Sequence, residues 1–121
     1  MIKNQEGSVV VIGSVAIDSL PPAQQTAYTI AKAALNMFAR SLANELGPKN
    51  IRVNIVSPGM TQTDLIVEMP QKAKELTRMY TPLRRLADPQ DVANTVAFLM
   101  SPQAKHITGE NIRVCGGSVM L

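Results

Sequence analysis

Tyr28 and Lys32 stand four residues apart in a segment with helical apolar spacing. On an α-helix, residues i and i+4 share a face with their Cβ atoms about 5–6 Å apart, so a phenol has an ammonium neighbour. A positive charge at that distance favours the phenolate and readies the phenol for proton exchange near neutral pH. The same pair also arises on an ordinary amphipathic helix, and Tyr28 lies on the apolar stripe of this one. Ser14 adds a hydroxyl where the first strand ends, at the edge where a parallel sheet presents its ligands. The second strand ends on the same edge, at Ser57-Pro58-Gly59. Ser14 as a simple turn cap is the plainer alternative.

The elements that must position these groups are legible in order. Residues 8–13, SVVVIG, form a β-branched run bounded by glycines, the pattern of a strand buried on both faces of a parallel sheet. Tyr28, Ala31, Leu35, Phe38, Leu42 and Leu46 recur at steps of three and four, so a helix is expected over 27–46. Thr26 would be its N-cap, and Gly47-Pro48 its stop. Residues 51–56, IRVNIV, alternate into a second strand ending at Ser57-Pro58-Gly59. Together these make a right-handed βαβ unit.

Residues 61–81 carry Leu65, Ile66, Val67, Met69, Leu76, Met79 and Tyr80 in no clean stripe, with Pro70 interrupting. Two short helices in a mobile excursion are expected there. Asp88-Pro89-Gln90-Asp91 is a strong helix start, with Val92, Ala93, Val96, Leu99 and Met100 as the expected buried face and Ser101-Pro102 as the stop. Ile112 to Cys115 read as a last short strand before Gly116-Gly117. The fold class is therefore α/β: a partial doubly wound, Rossmann-like parallel sheet of about three strands with flanking helices.

Composition narrows the function classes. The 121 residues suit one domain, and 45% hydrophobic residues exclude a disordered tail. The net charge of +3 is scattered, and aromatics are only 3%, so neither a basic stripe nor a base-stacking platform for nucleic acid is present. No apolar run approaches the ~20 residues of a membrane span. The lone Cys115 excludes an intrachain disulfide and a cysteine metal cluster, and a cytoplasmic setting is expected. No metal site is expected. Arg84 and Arg85 read as a solvated face, His106 as a surface residue and Cys115 as a small apolar filler.

The order and spacing of several segments resemble the short-chain dehydrogenase/reductase family. Its YxxxK motif stands here as Tyr28-Thr29-Ile30-Ala31-Lys32, followed by Ala33-Ala34-Leu35. The likeness continues through Ile51-Arg52-Val53-Asn54, Ser57-Pro58-Gly59, Asp88-Pro89-Gln90-Asp91-Val92-Ala93, Ala97 to Ser101, Ile107-Thr108-Gly109 and Ile112 to Gly117. It is most similar to 3-oxoacyl-carrier-protein reductases. The resemblance implies an NAD(P)-dependent oxidoreductase that interconverts ketones and secondary alcohols. Within it, Tyr28 is the general acid or base, Lys32 assists it and holds the nicotinamide ribose, and Ser14 donates a hydrogen bond to the substrate oxygen. The Pro58-Gly59 turn passes the nicotinamide, Thr61 meets the carboxamide through its backbone, and Thr63 reaches the cofactor phosphates. Thr63 as the N-cap of a short helix remains an alternative.

The family's Gly-rich phosphate loop, TGxxxGxG, has no counterpart in these residues. The resemblance thus implies that residues 1–121 are the carboxy-terminal half of a Rossmann-like domain, with NADP or NAD as cofactor and a small carbonyl or alcohol substrate. A sheet of three strands in the order first, second, last leaves a Val9-Val10-Val11 edge open to pairing, so homo-oligomers are expected. A different class of function is a catalytically silent oligomerisation or interaction module built on the same fold.

Overall fold

The computed structural model describes residues 1–121. Strand β1 (Gly7–Ile12) leads through a 3-10 turn (Val15–Ile17) to helix α1 (Thr26–Leu46), then to β2 (Ile51–Pro58). A 3-10 turn (Asp64–Ile66) and helix α2 (Gln71–Tyr80) form the expected excursion, followed by α3 (Pro89–Met100) and β3 (Asn111–Val114). The sheet order is β1-β2-β3, all parallel, with Val9 beside Val53 and Ser57 beside Arg113. No helix is long and apolar enough to cross a membrane.

The central strand is the best buried element. Ile51, Val53, Ile55 and Val56 are each at most 2% exposed because α1 covers one sheet face and α3 the other. Alternation sends Val53 and Ile55 against Ala39 and Ala43 of α1, while Val56 meets Leu99 of α3 and Ala104. Two polar β2 side chains bind the segments that flank the strand, whereas the buried Ser57 hydroxyl has no partner. Asn54, wholly buried, donates to the Ile107 carbonyl at 2.9 Å and accepts from the Glu110 N–H at 3.1 Å. Arg52 donates to the carbonyls of Leu99 (2.7 Å) and Ser101 (3.3 Å), serving oxygens that the end of α3 leaves without a helical partner.

Several expectations are corrected. β1 is not buried on both faces: as an edge strand it is half-buried, and Ile12 is 44% exposed. It ends one residue before Gly13, whose N–H still donates to the Val56 carbonyl at 2.8 Å. β2 runs to Pro58 rather than Val56, because β3 pairs with its last residues. Thr26 is the first helical residue of α1; Gln25 occupies the N-cap and makes no side-chain cap bond. α1 does end at Leu46 as expected, but Gly47 keeps right-handed helical angles and the chain reverses at Asn50, whose φ is 53°. The inward face of α1 is centred on Lys32, Leu35, Ala39 and Ala43, whereas Tyr28, Ala31 and Phe38 of the expected stripe are exposed. In α3, Ala93 and Met100 likewise face outward. Both helices carry apolar residues on more than one face, so periodicity finds an apolar arc without identifying the part that meets the chain's own sheet.

Candidate active site at the carboxyl edge of the sheet

The carboxyl ends of β1 and β2 and the first turns of α1 lie together. Gly13 closes the exit of β1: a Cβ there would stand 2.5 Å from Ser57 Oγ and 2.8 Å from Ile55 Cγ2, so only glycine lets the chain cross β2 this closely. Ser14 follows in extended backbone and N-caps the Val15–Ile17 turn, its Oγ accepting from the Ala16 N–H at 3.2 Å. The turn-capping alternative for Ser14 is thus realised. A hydroxyl that accepts through a lone pair still has its own proton to donate. Ser14 is 8% exposed, and α1 packs against the turn it caps.

Lys32 reaches from α1 to the end of β1, its Nζ donating to the Ile12 carbonyl at 2.9 Å. From there it lies over the Tyr28 ring, 5.8 Å from the centroid. A cation at that distance is attracted by the ring face and adds positive potential to the phenol's surroundings. Tyr28 is 46% exposed and its hydroxyl has no hydrogen-bond partner in the protein, so the phenol opens to solvent at the sheet edge.

The β2 turn forms the other wall. Gly59 donates to the Val114 carbonyl at 3.0 Å, and a Cβ on it would meet Cys115 Cβ at 2.9 Å, which fixes glycine beside the buried thiol. The Thr61 hydroxyl donates to the Gly59 carbonyl at 3.0 Å. Thr61 bridges to Ala87 through bonds made by its neighbours: the Gln62 N–H to the Ala87 carbonyl, and the Ala87 N–H to the Met60 carbonyl. Its own N–H and C=O therefore take no part in the bridge. Thr63 is exposed at the N-cap of the Asp64–Ile66 turn without a side-chain cap bond. Its backbone fits the capping alternative, while its hydroxyl stays uncommitted.

One further polar group departs from its sequence reading. Arg85 is not merely solvated: it grips Asp91 with two bonds of 2.6 and 3.0 Å. That bond, with the Asp88 N–H donating to the same carboxylate, holds the Asp91 carboxyl down at about 2. His106 is exposed, Cys115 is buried just beyond β3, and no group of three metal-ligating side chains converges. Sequence reasoning missed the ion pair between Arg113 of β3 and Asp18, Nε to Oδ2 at 2.7 Å. Only the charge of Arg113 inside a short apolar strand signalled it.

A family model described as enoyl-(acyl carrier protein) reductase matches residues 1–119. The 3-oxoacyl-(acyl-carrier-protein) reductase FabG of Vibrio cholerae is 37% identical over 121 residues, covering 100% of this chain and 49% of that protein. A crystal structure of a 3-oxoacyl-(acyl-carrier protein) reductase from Brucella melitensis superposes with a TM-score of 0.94 at 32% identity, covering 100% of this chain and 45% of the other. A 7α-hydroxysteroid dehydrogenase complexed with NADH and 7-oxo glycochenodeoxycholic acid gives 0.94 at 38% identity, over 100% and 48%. The chain spans about half the length of the curated relatives it matches.

Proposed function

Because this chain belongs to the short-chain dehydrogenase/reductase family, we propose that residues 1–121 carry the proton-transfer half of an NAD(P)-dependent oxidoreductase that interconverts a ketone and a secondary alcohol. The observation that carries this reading is Lys32, fastened to the end of β1 at the Ile12 carbonyl while its charge lies over the Tyr28 ring. A bound nicotinamide cofactor, NADP or NAD, supplies or accepts the hydride. Tyr28 gives its phenolic proton to the carbonyl oxygen in reduction and takes it back in oxidation, and Lys32 stabilises the negative charge left on the phenolate. Ser14 turns its free O–H to the same oxygen, where charge develops in the transition state. One Lys32 proton is spent on Ile12, and the ammonium keeps two others for a ribose hydroxyl.

The donor set suits the nicotinamide–ribose end of such a cofactor. It comprises a phenol and an ammonium on one helix, the Pro58-Gly59 turn, the Thr61 backbone outside its bridge, and the uncommitted Thr63 hydroxyl. No Gly-rich turn in the sequence offers a cradle for the pyrophosphate. Leu65, Met79 and Tyr80, 63–91% exposed on the segment between β2 and α3, favour an apolar carbonyl substrate. We read residues 1–121 as the carboxy-terminal half of a cytoplasmic Rossmann-like domain.

Tyr28→Phe tests the assignment, since it removes the proton and keeps the ring under Lys32. Carbonyl reduction should fall by roughly 10²–10⁴ with the circular dichroism spectrum unchanged. NADPH or NADH at a hundredfold excess over its Kd should stabilise the chain by about 2.7 kcal/mol. Reduction that survives Tyr28→Phe, or a melting curve that neither cofactor moves, overturns the reading.

A second reading is favoured by the outer face of α1, where Ile30, Met37 and Phe38 are 64%, 58% and 57% exposed. An apolar face of that kind serves an oligomerisation or interaction module without catalysis. Concentration-dependent association with no cofactor-induced stabilisation would favour it, whereas association together with stabilisation describes a homo-oligomeric reductase.

A further inference from the structure

The segment that leaves β1 is fastened at two points, and Ser14 lies between them. At one end, the Gly13 N–H donates to the Val56 carbonyl at 2.8 Å. At the other, Asp18, the C-cap of the Val15–Ile17 turn, accepts from Arg113 Nε at 2.7 Å. Arg113 is the register partner of Ser57, the residue over which Gly13 crosses. The fastening therefore spans the sheet, from the loop after β1, across β2, to β3. The Asp18 and Arg113 side chains are only 14% and 26% exposed, so the pair is more shielded than the surface pair of Arg85 and Asp91, at 55% and 31%. Shielding strengthens a charge-assisted bond and makes the loss of one partner costly.

Without this second fastening, the segment beyond Ser14 has only short-range bonds. These are the Ser14 cap on Ala16, the Asp18 N–H to the Val15 carbonyl at 3.0 Å, and the long Ile17 and Ser19 contacts at 3.5 and 3.4 Å. These bonds are few and two of them are long, so beyond the packing on α1 little in the segment itself keeps the turn closed and in place. The ion pair alone ties the far end of the turn to the sheet.

We propose that the Arg113–Asp18 ion pair is a positioning latch, which holds the Val15–Ile17 turn against the sheet and so fixes where Ser14 presents its hydroxyl. The proposal rests on the reductase reading for its consequence in catalysis, and on geometry alone for the latch. Asp18 and Arg113 are positioning residues that act through Ser14.

The test is a double-mutant cycle of Asp18→Asn, Arg113→Met and the two combined, read by amide hydrogen exchange at Ala16 and Asp18 and by steady-state kinetics. Each single variant should speed exchange at these amides about tenfold. Each should also lower kcat about tenfold while leaving KM for the nicotinamide cofactor unchanged, a split that general loosening of the fold would not give. The combined variant should match the single variants, because both remove one interaction. Exchange at Ala16 and Asp18 that is unchanged in the single variants, or effects that multiply in the combined one, overturns the latch. Exchange does not depend on turnover, so a chain that binds no cofactor yet shows the cycle's coupling refutes the reductase reading and supports the latch.

Discussion

Helices α1 and α3 cover opposite faces of the same sheet, but their amino ends are built differently. At α3, Asp88 sits in extended backbone, accepts from the Gln90 N–H at 3.1 Å, and its own N–H donates to Asp91, forming a reciprocal capping box. At α1, Gln25 has φ −111° and ψ 18°, outside the extended range an N-cap favours, and its side chain caps nothing. The first turn of α1 instead carries Tyr28, and the next Lys32, beside the carboxyl edge of the sheet. The helix that serves as scaffold is closed by its own sequence. The helix that carries the proposed chemistry is held by its far half, where Ala39 and Ala43 are 0% and 4% exposed.

Three substitutions break or sharpen that contrast. Ala39→Asp puts an unpaired charge where α1 meets Val53 and Ile55. It should cost about 4 kcal/mol or more, a large part of a typical domain's stability, and urea denaturation will show it. If the far half of α1 were not its anchor, the loss would be small. Asp88→Ala removes the α3 cap and should cost about 1 kcal/mol by the same measurement. Gln25→Ser should change stability by less than about 0.5 kcal/mol, because the backbone at this position does not aim a hydroxyl at the first-turn amides. A gain comparable to the Asp88 loss would show that the two helix starts differ in side chain alone.

The pH dependence separates the helices too. The Asp91 carboxyl is held at about 2 by Arg85 and the Asp88 N–H, below the roughly 3.9 of an unfolded aspartate. A depressed carboxyl contributes stability above its unfolded value, and that contribution is lost as pH falls from there through about 2. Asp91→Asn should flatten acid unfolding in this window, monitored by circular dichroism, and α1 has no matching group in its first turn.

Much of this was legible in the sequence, for reasons that differ from element to element. The Asp88 start is read correctly because its signal is local: an N-cap, a proline and a carboxylate act within one turn. The parallel strands follow from β-branched runs spaced by helical segments, and their order in the sheet from the family resemblance. The candidate site residues that could be singled out are those marked by spacing along one element, Tyr28 and Lys32, or by a strand end, Ser14 and Pro58-Gly59. The buried face of α1 was misread at Phe38 and Ala31, since a second apolar arc, with Ile30 and Met37, satisfies the same periodicity. The Asp18 and Arg113 partners, 95 positions apart, left no spacing to read.

By itself, the sequence determined the kinds of element and their order along the chain, because backbone propensity, capping and alternation act over a few residues. The tertiary structure decided which face of each helix is covered, that Lys32 binds the Ile12 carbonyl, and that Arg113 holds Asp18. Those outcomes depend on the packing of chain segments remote in sequence, where shape and burial choose among partners that local patterns leave equivalent.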